Sequence, residues 1–129
     1  MFYNNQSIGG KGELIAARYL QFRFYRILTR NYRTPFGEID LVCRRGRTLI
    51  FVEVKTRTNT KFGSPETAIT PQKMSHLVKA GEYYRRQQRC VNRPWRVDVL
   101  AINTTDGRHE VHHFENVIQD WPEEKVIRG

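Results

Sequence analysis

The chain has 129 residues, of which 39% are hydrophobic and 12% aromatic. That is the length of one ordinary domain, large enough to bury its own core and too apolar for a disordered chain. Lys and Arg total 22 against 13 Asp and Glu, a net charge of +9, and the excess is uneven: residues 1–100 carry 19 basic and 7 acidic groups, whereas residues 101–129 carry 3 and 6. A field of that sign gathers polyanions, and nucleic acid is the commonest one in a cytosol. The longest uncharged apolar run, Leu49-Ile50-Phe51-Val52, falls far short of the ~20 residues that cross a bilayer. The opening residues, Met1 to Gln6, lack the basic and apolar segments of a signal peptide. Two cysteines, Cys43 and Cys90, cannot build a disulfide framework and read as reduced thiols of a cytoplasmic protein with no membrane role.

Gly9-Gly10-Lys11-Gly12 reads as a flexible entry. From Glu13 to about Phe22, the apolar residues Leu14, Ala16, Ala17 and Leu20 recur at helical spacing. Tyr25 to Arg33 reads as a strand of mixed polarity that Pro35-Phe36-Gly37 ends. Glu38 to Cys43 alternates polar and apolar, and Thr48 to Lys55 is apolar nearly throughout, as in a central strand covered on both faces. Gly46-Arg47 between them suits a two-residue type II′ turn.

Residues 57–70 read as a polar loop, and Thr70-Pro71 as an N-cap with Pro at the first helical position. Met74, Leu77, Val78 and Gly81 line the inner face of the helix that follows, to about Gln88. Arg96 to Asn103 and Glu110 to Glu115 are two further strands around a Thr105-Asp106-Gly107 turn. The order α-β-β-β-α-β-β predicts helices packed on one sheet.

The hairpin carries the chemistry. With Arg45 opposite Thr48, Asp40 falls opposite Glu53 and Glu38 opposite Lys55, all four on one face. Facing Cβ atoms lie about 4.5–5.5 Å apart, so the two carboxylates repel unless a proton, a nearby cation or a divalent metal offsets them. From spacing alone a metal-bound carboxylate pair and a solvated salt-bridge face both stay open.

Other charged residues divide by position. Arg57 and Lys61 lead the loop after Lys55, Gln72 and Lys73 begin a helix whose amides favour anions, and Arg44, Arg45 and Arg47 flank the hairpin turn; all seven are candidate phosphate contacts. Asp98 on an apolar strand reads as a buried, hydrogen-bonded carboxylate. His109 and His113 share a strand face that His112 does not, with no cysteine nearby in sequence, so zinc is disfavoured. Tyr83, Tyr84, Trp95 and Trp121 offer rings that can stack bases, but core or interface packing is the favoured reading.

Asp40, then Glu53-Val54-Lys55 on an adjacent strand after a helix carrying Glu13, resembles the PD-(D/E)xK nuclease core, which includes restriction endonucleases and archaeal Holliday-junction resolvases. Ile39 stands where the superfamily name has Pro. More closely, the chain resembles the YraN-like bacterial family through Gly12-Glu13, Arg30-Asn31-Tyr32-Arg33, Gly37-Glu38-Ile39-Asp40-Leu41-Val42, Phe51 to Arg57, Phe62-Gly63, Lys73 and Arg96-Val97-Asp98-Val99.

The resemblance implies an α/β fold with a restriction-endonuclease-like αβββαβ core and a mixed central sheet flanked by helices. It implies one nuclease-like domain over 1–129, with the core at about 9–118 and an acidic tail at 119–129. It further implies a Mg²⁺-dependent endonuclease of DNA repair or recombination type, with Mn²⁺ able to substitute. Asp40, Glu53, the Val54 carbonyl and Glu13 would form the metal site, with Lys55 orienting or deprotonating the attacking water. The implied partner is DNA, and the junction resolvases that share this core act as dimers. The alternative is a catalytically silent nucleic-acid-binding or accessory module of the same fold.

Overall fold

The computed structural model describes residues 7–57 and 69–120. Helix α1 (Ser7–Phe22) is followed by strands β1 (Arg26–Thr34), β2 (Gly37–Arg45) and β3 (Thr48–Arg57), helix α2 (Pro71–Gln87), strands β4 (Trp95–Thr105) and β5 (Arg108–Phe114), and a 3₁₀ turn at Val117–Asp120. The sheet order is β1-β2-β3-β4-β5. β3 and β4 run parallel and the other neighbours antiparallel, so the sheet is mixed. α2 makes the crossover that a parallel pair requires. Each predicted element is present, within a few residues of its expected ends, except that α1 begins six residues before Glu13.

Local chemistry sets the boundaries. Gly46 has φ +61° and Arg47 does not enter the left-handed region, the pattern of a type II′ turn, and it fixes the register Arg45↔Thr48 through Leu41↔Val52. Asp106 (φ +51°) and Gly107 (φ +78°) both turn left-handed, as a type I′ hairpin between β4 and β5 needs. Thr70 caps α2 by accepting the Lys73 amide at 3.1 Å, with Pro71 at the first turn.

β3 is buried on both faces. Leu49 and Phe51 join Met74, Leu77, Ala80 and Tyr84 of α2 on one side. Ile50 and Val52 join Ala16 and Leu20 of α1 on the other. Between two helices a central strand has no polar face, which is why its sequence does not alternate.

The glycine stretch corrects one expectation. α1 begins at Ser7 and contains Gly9, Gly10 and Gly12. Gly12 is buried, and a Cβ there would collide with the Thr56 methyl on β3. The helix tolerates a poor helix former at this point because only a bare Cα lets it lie so close to the sheet.

Gly81 has the same role in α2: a Cβ there would sit 2.8 and 2.9 Å from two carbons of the Phe51 ring. That ring is wedged by Tyr84 and Trp95 at centroid distances of 5.8 and 6.2 Å. Gly81→Ala would gain up to ~1 kcal/mol of helix propensity. Overpacking a rigid ring costs ~1–3 kcal/mol, so the net effect is destabilising. Urea denaturation is expected to give a lower midpoint for Gly81→Ala, and a higher one would show that α2 can lift freely from the sheet.

Among the described residues no helix is long and apolar enough to cross a membrane. Cys43 is buried and Cys90 half-buried, both as free thiols. Lys61, Phe62-Gly63 and Trp121, with most of the acidic tail, lie outside the described residues.

Candidate active site

The β2–β3 ladder carries the predicted register from the turn as far as Leu41↔Val52. One step further, where Asp40 was expected opposite Glu53, a side chain enters the pairing: Val54 N–H donates to Asp40 Oδ2 at 2.8 Å. Face alternation also slips here, for Ile39 packs with the α2-side cluster while Leu41 and Cys43 pack with the α1 side. On the neighbouring strand Asn31 adopts a left-handed φ of +51°. The hairpin thus holds Asp40 against the end of β3 rather than displaying it on a regular face.

Glu53 is 7% exposed. Its pKa is pushed up to about 7, first by burial and then by the charge of Asp40, with Lys73 and Lys55 opposing. Asp40 is raised too, again mainly by burial, while the Val54 amide and Lys73 pull it down. The two carboxyls are close enough that the charge of Asp40 helps to keep Glu53 protonated. Lys73 Nζ approaches Glu53 Oε2 at 3.8 Å. The other oxygen, Glu53 Oε1, is buried and has no hydrogen-bond partner among the described residues. An orphaned carboxylate oxygen beside a second carboxyl is a donor set for a hard cation.

Glu13 of α1 is near enough for the charges of Asp40 and Glu38 to raise its pKa, after burial as the main cause. Its carboxylate is held by Asn31, whose Nδ2 donates to Glu13 Oε1 at 3.0 Å and to Glu38 Oε1 at 3.5 Å. No three His, Cys, Asp or Glu side chains among the described residues cluster tightly enough to form a metal site by themselves. The candidate ligands are therefore Asp40 and Glu53, the Val54 main chain and water, with Glu13 behind Asn31. Mg²⁺ keeps several waters and needs only one or two carboxylates, so the residues fit such an ion.

Lys55 is exposed, two residues beyond Glu53, and its charge reaches that carboxylate. Arg57 ends β3 opposite Asn103 of β4. Gln72 and Lys73 occupy the exposed first turn of α2. The hairpin arginines are not brought to this place. Arg44, Arg45 and Arg47 lie at the far end of the β2–β3 hairpin, about 23 Å from Lys55 along β3. There Arg44 donates to the Gly46 carbonyl at 3.1 Å, Arg45 lies 5.1 Å over the Tyr25 ring, and the Arg47 carbonyl accepts Arg93. Glu38 pairs with Arg33 at 3.5 Å, and no Glu38–Lys55 pair is seen among the described residues.

Sequence reasoning missed Asn31 as a site residue. The available signal was an Asn inside a strand, since Asn is among the few types that accept a left-handed backbone. It also missed the partners of Asp98. That carboxylate is fully buried on the α1 side of the sheet and accepts Arg96 Nε at 3.0 Å, His113 Nε2 at 2.7 Å and Asn116 N–H at 2.9 Å. His109 contacts Thr104 at 3.0 Å, so His109 and His113 serve different partners.

A mixed five-stranded sheet in αβββαβ order, with acidic residues where β2 and β3 part, is a restriction-endonuclease-like α/β core. Residues 12–102 match the model of the uncharacterised protein family UPF0102. The chain belongs to the UPF0102 family, the YraN-like family that its motifs resemble. A UPF0102 protein of Syntrophomonas wolfei is 43% identical over 112 residues, 87% of this chain and 97% of its own length. Those of Geobacter metallireducens and Carboxydothermus hydrogenoformans are 40% and 37% identical, over 92% and 89% of this chain and 98% of their own.

Proposed function

We propose that the protein is a divalent-metal-dependent endonuclease that hydrolyses phosphodiester bonds, with DNA as its substrate. The carrying observation is half-buried Asp40 beside buried Glu53, one oxygen of which has no partner among the described residues, set in a chain of net charge +9. A pair that repels itself is a standing cost unless something binds it.

Bound between these carboxylates, Mg²⁺ or Mn²⁺ would supply positive charge to the phosphoryl oxygens and make a coordinated water more acidic. The chain's own groups do the remaining work. Lys73 holds Glu53 in place by charge. Lys55, exposed two residues beyond Glu53, would orient the attacking water and meet charge on the phosphate. In the reaction the water oxygen bonds to phosphorus, the P–O ester bond breaks, and a proton passes to the departing oxygen. The basic surface counters the repulsion between an acidic pair and a phosphate backbone. Free thiols and the polyanion field suit the cytoplasm.

The test is cleavage of branched, flapped and single-stranded DNA in Mg²⁺ or Mn²⁺. Cutting is expected from the wild type and at least 100-fold less from Lys55→Ala, as for loss of a group that stabilises transition-state charge. Equal rates would overturn the assignment. One observation favours the silent binding module: Asp40 and Glu13 already have hydrogen-bond partners in Val54 and Asn31. Calorimetric titration with Mn²⁺ separates the readings, because a silent module needs no metal affinity at Asp40 and Glu53.

A further inference from the structure

We propose that the groove between the β1–β2 turn and α2 is a stacking platform for an unpaired nucleobase. It would make the substrate a nucleic acid with single-stranded residues next to the scissile phosphate. The inference rests on the nuclease reading above and names its substrate class.

The groove has a volume of about 430 Å³ and is lined by Phe36, Lys79, Glu82, Tyr83 and Arg86. Phe36 is 44% exposed. Its turn is pinned: Thr34 Oγ1 accepts the Phe36 amide at 3.0 Å and donates to the Gly37 carbonyl at 2.7 Å. Tyr83 is anchored through a chain of rings. It lies 6.5 Å from Tyr32, Tyr32 meets Tyr84 edge-on at 5.0 Å, and Tyr84 meets Phe51 in the core at 5.8 Å. The two walls are thus built before any ligand arrives.

The charges select the occupant. Glu82 is paired with Arg86 at 2.8 Å, which leaves Lys79 as net positive charge beside two aromatic rings. Flat apolar faces beside a cation suit a base joined to a phosphate. A base inside a duplex has both faces stacked already, so only an unpaired one gains by entering.

Both walls lead back to the carboxylates. Phe36, in the turn just before β2, is four residues from Asp40, at most about 13 Å of extended chain. Along α2, Lys79 and Tyr83 are six and ten residues beyond Lys73, about 9 and 15 Å of helix. Lys73 is the residue paired with Glu53. A strand crossing the carboxylate pair would reach the groove within a few nucleotides.

The test is fluorescence anisotropy in EDTA, where binding is read without cleavage. The probes are a labelled oligothymidylate and a blunt duplex. Phe36→Ala, at an exposed turn, is expected to weaken oligothymidylate binding roughly tenfold while leaving the duplex unchanged. Phe36→Trp is expected to restore it. An equal loss on both probes, or no loss, overturns the platform. So does a change in oligomeric state by light scattering with nucleotide binding intact, which would mark the groove as a contact between copies. Cleavage in Mn²⁺ that persists while single-strand binding ignores Phe36 sinks the platform and keeps the nuclease. Binding that depends on Phe36, from a protein that cuts nothing, keeps the platform and sinks the nuclease.

Discussion

Glu53→Gln is expected to raise the stability of the metal-free protein at pH 8, to leave it unchanged at pH 4, and to abolish metal-dependent cleavage. In the folded chain Glu53 holds its proton up to a pH of about 7, because burial and the Asp40 charge disfavour ionisation. In the unfolded chain it ionises near 4.3. Between those values the unfolded state has released a proton that the folded state keeps, so stability falls as pH rises, and above about 7 the full cost remains. A gap of that size corresponds to about 4 kcal/mol, an upper bound for a pair whose titrations are linked. Glutamine keeps the shape and removes the charge.

The gain at pH 8 should be about 1–3 kcal/mol, or several degrees in Tm for a chain of this length. Melts in EDTA across pH 4–8 check it. A flat difference between wild type and variant would mean that neither burial nor Asp40 raises the Glu53 pKa on folding. Adding Mn²⁺ should raise the wild-type Tm and leave Glu53→Gln unmoved, since a ligand stabilises only the state that binds it. A residue that weakens the empty fold and is needed by the loaded one is the usual trade between stability and function.

How much of this was legible in the sequence depends on how local the cause is. The hairpin register followed from Gly46-Arg47 alone, because a two-residue turn leaves one way to pair the strands. The β3 reading followed from its unbroken apolar run, and the start of α2 from Thr70-Pro71. The approach of Asp40 to Glu53 was legible by extending that register, although the backbone ladder stops one pair earlier and Asp40 bonds to Val54 instead. What could not be read was long-range. Asn31 bridges Glu13 and Glu38 across 18 and 7 residues. Lys73 looked like a phosphate contact at a helix start, and its pairing with Glu53 depends on where the crossover sets α2 down. The hairpin arginines are near Asp40 in sequence and far from it in space, because an extended strand gains ~3.3 Å with every residue.

Asp98→Ala is expected to be the most destabilising single change outside the apolar core. Asp98 has no exposed surface, yet its carboxyl sits below the usual range: burial pushes it up, and the bonds from His113, Arg96 and the Asn116 amide more than reverse that. Arg96 is itself tied to the Tyr25 hydroxyl at 2.7 Å, so the network joins β4, β5 and the start of β1. Removing the carboxylate leaves the His113 imidazole and the Asn116 amide without their buried acceptor and costs Arg96 its closest anion, although Arg96 keeps Tyr25 and Glu115, a loss of about 3–5 kcal/mol against a typical total of about 5–15.

Native-state hydrogen exchange should show the amides of β5 opening first, because Asp98 pins this edge strand through His113. Uniform weakening would contradict that role. The pH dependence runs opposite to that of Glu53. A depressed carboxylate stabilises the fold above its ordinary range and loses that contribution as pH falls through it. The metal-free protein should therefore be most stable at mildly acidic pH, with Asp98 setting the acid limb and Glu53 the neutral one. Asp98→Asn should flatten the first limb and Glu53→Gln the second. The two variants should couple little, for although the register sets Asp98 opposite Val52, next to Glu53, strand alternation points the two side chains to opposite faces of the sheet.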